Sequence, residues 1–134
     1  DNSIIHNVST LKTTILQKQE VPAGDSIGYS RRSYVKRDSR IAIIPIGYAD
    51  GLDRHLGNGA GQVLINGKRC PTIGNICMDT CMIDVTGIEV NEGDTVIIFG
   101  DELPVSELSE TLGTISYEIL TSISPRVKRV YFRE

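Results

Sequence analysis

The sequence reads as a mostly-β domain with one or two short helices, its strands forming a partly closed β-barrel or a sandwich. Three observations carry that reading. At least six short apolar or alternating runs are separated by turn signals. An Asn66-Gly67 dipeptide joins two of them. Glycine accounts for 13 of 134 residues, above the usual share of about 7%, as a turn-rich chain requires. A chain of this length fits one domain and can bury a real core.

Residues 1–10 are polar with scattered apolar positions and read as a leader or linker, leaving 11–134 as the domain. Leu11 to Glu20, with Thr13, Thr14, Ile15 and Leu16, predicts a first strand. Val21 to Asp25 predicts a turn, because Pro22 presets one dihedral and Gly24 supplies the permissive one. Ile41 to Ile46 is an apolar run expected to form a buried strand. Its Pro45 lacks a ladder donor and predicts an edge or a bulge. Gln62 to Cys70 is the clearest hairpin, since Asn66-Gly67 tolerates positive φ at both centres of a type I′ turn. Cys81 to Val85 and Thr95 to Phe99 read as strands, with turns at Gly87 and at Asn91 to Asp94. Ser106 is the expected cap of a helix through Leu112, stopped by Gly113. Thr114 is the expected cap of a second, with Ile115, Ile119 and Ile123 on one face. Val127 to Arg133 alternates as a closing strand.

Composition narrows function. The net charge of −3 provides no global basic field for nucleic acid. The basic end, Arg126 to Arg133, is explained more simply as an alternating strand. No apolar run approaches the roughly 20 residues of a membrane helix, and no signal-peptide pattern opens the chain. Three cysteines without a disulfide spacing favour a reducing, cytoplasmic setting. The start at Asp1-Asn2-Ser3, without an initiator Met, reads as a processed product or a part of something longer.

The segment Ile76-Cys77-Met78-Asp79-Thr80-Cys81-Met82 holds both methionines and two of the three cysteines. A structural zinc site needs four ligands. Beyond this pair only Cys70, His6 and His55 are available, with no local pairing, so no metal is expected and buried thiols are the simpler reading. A Cys77–Cys81 disulfide is disfavoured if the segment is extended, which would separate the α-carbons by about 13 Å. Gly47-Tyr48-Ala49-Asp50-Gly51 follows the apolar strand. Spacing alone supports equally a turn with an exposed tyrosine and a loop whose backbone approaches a ligand. Tyr29 lies in Gly28-Tyr29-Ser30-Arg31-Arg32. The residues admit a surface phenol beside solvated arginines, or one whose pKa two cations lower from about 10.

In order, Gly28-Tyr29, Ile44 to Gly51, Ile73 to Met82, Ile115-Ser116-Tyr117-Glu118 and Ser124-Pro125-Arg126-Val127 resemble the carboxy-terminal domain of the alanine racemases. The likeness runs from about Leu11 to Arg133. It implies a pyridoxal-phosphate-dependent isomerase that interconverts L- and D-alanine for peptidoglycan synthesis. It also implies a missing N-terminal (β/α)8 barrel that carries the cofactor and its Schiff-base lysine. Family enzymes are head-to-tail homodimers, each active site combining one subunit's barrel with the other's β domain.

By motif match, the resemblance makes Tyr29 the catalytic base for the L-isomer. Tyr48 and the Met78 N–H would contact substrate or its carboxylate, and Tyr117 would reach the cofactor phosphate. Arg54 and Asp79 match positions of the substrate corridor and the interface near the site. Asn75 stands where many members carry Arg, which changes the corridor's charge pattern. Ser30-Arg31-Arg32 stands where many have Gly after the tyrosine, which changes the backbone and charge around Tyr29. Other expectations remain: a racemase for another small amino acid such as serine or lysine, or a free-standing β-barrel interaction module. The fragment alone is expected to be inactive.

Overall fold

The computed structural model describes residues 10–27 and 33–114, together with Ile119 and Ile123. Within them lie nine strands: β1 Leu11–Thr14, β2 Gln17–Val21, β3 Ser26–Ile27, β4 Ser33–Tyr34, β5 Ser39–Ile44, β6 Gln62–Ile65, β7 Lys68–Pro71, β8 Cys81–Asp84 and β9 Thr95–Phe99. One α-helix, α1, spans Val105–Leu112. The domain is therefore mostly β with one helix among the described residues.

One sheet has the order β1-β9-β6-β7, a second β2-β5-β8, and β3 and β4 form a separate pair. Every strand pairing among the described residues is antiparallel. The two larger sheets touch at two seams. At one, Thr72 bridges Ile83 and the Ile73 N–H donates to the Met82 carbonyl at 3.0 Å. At the other, the chain passes from one sheet to the next through Ile15 and Leu16. The Ile15 N–H bonds to Asp94 O at 2.9 Å, and the Leu16 N–H bonds to Ile43 O at 2.8 Å. That change of partner splits the single strand expected over Leu11 to Glu20 into β1 and β2. Local propensity is continuous there, but the hydrogen-bond partners are not.

The apolar run at residues 41–46 also differs from expectation. β5 is flanked on both sides, by β2 and β8, and has no free edge. It ends at Ile44, and Pro45 sits exposed beyond it. A proline cannot donate to the ladder, so the strand stops before it rather than bulging around it. The hairpin behaves as expected: Asn66 has φ 51° and Gly67 φ 76°, with Ile65 opposite Lys68. At α1 the N-cap is Pro104, in extended conformation and with no side-chain cap, so Ser106 lies inside the helix. Gly113 does end it, at φ 69°, its N–H returning to Glu110 O and Ser109 O.

β5 alternates between two cores. Ala42 and Ile44 face the main one, with Ile65, Ile83, Val96 and Ile98. Ile41 faces a smaller one with Val21, Ile27 and Val35, flanked by Ile73 and Met82. Each fully buried aliphatic side chain contributes on the order of 1.5–3 kcal/mol. Ile119 and Ile123, from the expected second helix, are both buried in the main core. The rest of that helix, the strand expected over Val127 to Arg133, and residues 1–9 lie outside the described residues. No helix among the described residues is long and apolar enough to cross a membrane.

Candidate active site

Two loops leave the same end of the β5–β8 pair because Ile44 is paired with Cys81 there. The loop after β5 carries a 3-10 turn at Tyr48–Asp50, and the loop before β8 carries Ile76 to Thr80. They interlock through backbone: the Tyr48 N–H donates to Cys77 O and the Ala49 N–H to Met78 O, both at 3.0 Å. Gly47 permits this approach. A Cβ built there would lie 2.2 Å from Cys77 O and 2.5 Å from Met78 O. The requirement is space, because Gly47 has an ordinary extended conformation with φ −147°. The buried Asp50 adds an anchor, its Oδ2 accepting the Gly47 N–H at 3.0 Å.

This packing orients Met78. Its N–H shares a peptide plane with the Cys77 carbonyl, and in a trans peptide the two point in opposite directions. With that carbonyl turned to Tyr48, the N–H projects away from the 47–51 loop. It makes no hydrogen bond among the described residues. Around it, Met78 is 54% and Tyr48 40% exposed, unusual for side chains of their size. The Arg54 guanidinium lies 5.5 Å from the centre of the Tyr48 ring, close enough for a cation–π contact.

Arg54 belongs to a second 3-10 turn, Arg54–Leu56, capped by Asp53. Asp53 Oδ1 accepts the His55 N–H at 2.8 Å and lies 2.8 Å from His55 Nδ1. That backbone N–H, more than the neighbouring charges, holds the Asp53 carboxyl below the usual carboxylate range. Arg54 and His55 stand between two cavities. One, of about 560 Å³, also takes Tyr48 and the apolar Leu52, Phe99 and Leu112. The other, of about 420 Å³, adds Asn75 and Ile76. Asn75 Oδ1 accepts from Asn58 Nδ2 at 2.9 Å, so an amide pair stands at position 75 of a rim whose cation is Arg54. Asp79 is exposed on the 76–80 loop.

The cysteines differ in part from expectation. Cys70, Cys77 and Cys81 are all free thiols, and the described residues hold no cluster of three metal-ligating side chains. The 77–81 segment is not extended, however. The Cys77 N–H bonds to Thr80 O at 3.0 Å, folding the loop back on itself. The wide separation expected from an extended chain therefore does not hold. Cys81 is buried, and its thiol is pushed up to about 12, chiefly by burial and secondarily by Cys77.

Of the candidate residues, the structure brings together Tyr48, Arg54, Met78 and Asp79, which lie on or beside the interlocked loops. Tyr29 and Tyr117 lie outside the described residues. The family profile described as alanine racemase, C-terminal domain, matches residues 8–131. The chain belongs to that family.

The alanine racemase C-terminal domain relatives agree along the whole chain. An alanine racemase of Clostridium kluyveri is 43% identical over 99% of this chain, which spans 35% of that protein. Among solved structures, alanine racemase from Bartonella henselae with covalently bound pyridoxal phosphate superposes with TM-score 0.84 at 38% identity. That match covers 90% of this chain and 34% of the other. Alanine racemase from Bacillus anthracis with bound L-Ala-P gives TM-score 0.84 at 39% identity, covering 92% and 32%. The chain thus spans about a third of the length of the relatives it matches.

Three contributors to this site were not singled out from sequence. The anchoring role of Asp50 had a faint signal in its position three residues after Gly47, the spacing of a helix cap and its partner. Asn58 had one in Asn58-Gly59, both at positive φ (56° and 89°). The clamp between Asp53 and His55 had none.

Proposed function

We propose that this chain is the C-terminal domain of a pyridoxal-phosphate-dependent alanine racemase, a cytoplasmic isomerase that supplies D-alanine for peptidoglycan. Residues 11–134 form the domain, residues 1–10 lead in from an N-terminal (β/α)8 barrel, and the two seamed sheets make a partly closed barrel. The enzyme is a head-to-tail homodimer in which each β domain completes the partner's site. The observation that carries this reading is the outward Met78 N–H, presented by interlocked loops in a chain whose relatives are named alanine racemases.

The described residues fit a cofactor and substrate that bear anionic groups. The Met78 N–H, without a hydrogen bond among the described residues, lies on the loop bonded to the Tyr48 backbone, and the Arg54 guanidinium stacks on the Tyr48 ring. When bound, pyridoxal phosphate supplies an electron sink for the charge left at Cα after proton removal. The chain's own residues then serve one face of Cα, and the proton on the opposite face must be exchanged with a group of the barrel. The Tyr29 phenol takes the proton from the L-face and returns one there in the reverse direction. This requires its pKa to be moved toward neutrality from about 10. The Met78 N–H and Tyr48 bind the carboxylate, Tyr117 approaches the cofactor phosphate, and Arg54 and Asp79 order the corridor and the interface.

The test is Tyr29→Phe in the full-length enzyme. Loss of a positioned base should lower kcat/KM for L-alanine by about 10²–10⁴, with the melting temperature little changed. Normal racemisation by this variant sinks the assignment. The 134-residue chain alone with pyridoxal phosphate should not racemise alanine, for want of the lysine-bearing barrel. Any reproducible turnover would refute that.

A further inference from the structure

We infer that Asp50 is a positioning residue for the substrate carboxylate, acting through the Cys77–Met78 peptide; this rests on the reading of Met78 given above. Asp50 is only 6% exposed, and a buried carboxyl is costly unless its hydrogen bonds are made. Its Oδ2 accepts the Gly47 N–H at 3.0 Å, while its own N–H returns to Gly47 O at 3.0 Å. The Leu52 N–H reaches the same oxygen at 3.3 Å. Gly47 is thus clamped at both its donor and its acceptor.

The clamp is transmitted along peptide units. The Gly47 carbonyl belongs to the peptide whose N–H is that of Tyr48, and this N–H donates to Cys77 O at 3.0 Å. The Cys77 carbonyl belongs to the peptide whose N–H is that of Met78, and this one projects outward. Two peptides therefore stand in series, fed at one end by the backbone N–H groups of Asp50 and Leu52 and ending at the Met78 N–H, while the Asp50 carboxylate holds Gly47 from its other side, through the N–H of the preceding peptide. Hydrogen bonds in such a chain polarise one another, which strengthens the terminal donor. They also set its direction, because the contact at Gly47 leaves no room for the 76–80 loop to shift inward. Losing the Asp50 carboxylate frees the Gly47 N–H and lets this turn shift, which should misaim the donor even though the backbone bonds into the Gly47 carbonyl remain. Its partner is a carboxylate, and the contact exists in ground and transition states alike, so the loss should appear in KM more than in kcat.

The experiment uses the full-length enzyme, with Asp50→Ala and Asp50→Asn, and propionate as a probe that keeps the carboxylate and lacks the amine. Asp50→Ala should raise KM for alanine and Ki for propionate about tenfold, the size expected for one weakened hydrogen bond to a charged group. Its kcat should change less than about twofold. Asp50→Asn, which keeps an oxygen able to accept the Gly47 N–H, should restore both constants to within about threefold. If the alanine variant does not fold, Asp50→Ser, whose hydroxyl reaches less far, should raise the same Ki at least about threefold.

Unchanged KM and propionate Ki in Asp50→Ala, or an unchanged Ki in Asp50→Ser, overturn the positioning role. So does a fall in kcat with Ki unaltered. Selective ¹⁵N-methionine labelling of the wild-type enzyme separates this from failure of the underlying reading. The Met78 amide resonance should move on propionate addition. If it does not, the Met78 assignment itself is wrong and the inference falls with it.

Discussion

The backbone N–H of Tyr48 and the carbonyl oxygen of Cys77 are joined by a 3.0 Å hydrogen bond, which locks two motif loops into one surface. The contact exists because Gly47 has no side chain and because β5 and β8 release both loops at the same end.

Gly47→Ala should therefore be severe. Its Cβ would meet backbone atoms at 2.2–2.6 Å, and backbone cannot rotate away as a side chain can. Overpacking of this kind typically costs 1–3 kcal/mol, occasionally more. Urea denaturation should show a loss of at least about 2 kcal/mol, and KM for alanine in the full-length enzyme should rise with it. A variant of wild-type stability would show that the loops can part without consequence.

Arg54→Ala should act more gently. The guanidinium over the Tyr48 ring contributes roughly 0.5–1 kcal/mol at an exposed site, so stability should barely move. Tyr48 should lose its fixed orientation, and KM should rise a few-fold. Arg54→Lys should recover only part, since a point charge does not stack as a planar fork does. Equal kinetics in all three proteins would remove Tyr48 orientation from the account.

Cys81 predicts a specific alkaline behaviour. An unfolded thiol titrates near 8.5, and the folded one at about 12. Below both values the proton is bound in both states, and the thiol's contribution is whole. Between them only the unfolded chain releases its proton. Stability therefore falls as pH rises, by at most about 1.4 kcal/mol per pH unit, and the contribution is gone above the folded value. Chemical melts from pH 8 to 11 should fall less steeply for Cys81→Ala than for wild type. Iodoacetamide should label the half-buried Cys77 first, and Cys70 and Cys81 only on unfolding.

Asn66→Ala tests the hairpin away from the site. Asn66 holds φ 51° and its side chain donates to Glu89 O at 3.1 Å and Asp94 Oδ2 at 3.2 Å. A left-handed conformation at a residue with an ordinary Cβ costs roughly 1–2 kcal/mol. Thermal melts should show a loss of that order, with KM and kcat unchanged. Altered kinetics would mean that the hairpin communicates with the loops.

Much of this architecture could be read locally. The Asn66-Gly67 hairpin, β9 and the Gly113 helix stop are short-range effects of turn chemistry and periodicity, and each fell where its residues placed it; the strand expected over Cys81 to Val85 stops one residue sooner, at Asp84. The motifs around Tyr48 and Met78 were visible as strings. What could not be read was anything that depended on a distant partner. The break between β1 and β2 arises because Ile15 and Leu16 take partners in different sheets. Pro45 escapes an edge or bulge because β5 is a central strand that ends one residue earlier. The Ile76–Thr80 segment folds back, against the extended reading, through its own Cys77 N–H to Thr80 O bond, and its Cys77 and Met78 carbonyls turn to Tyr48 and Ala49.

Composition and turn signals were thus enough to establish a mostly-β domain, and the ordered motifs carried the resemblance to its family, since these reside in neighbouring residues. The outward Met78 N–H, the Arg54–Tyr48 stack and the Asp50 clamp were decided only by tertiary contact. Each requires groups that the β5–β8 pairing and the fit at Gly47 bring together in space, and neither hydrogen-bond partner nor available volume is written in any one segment.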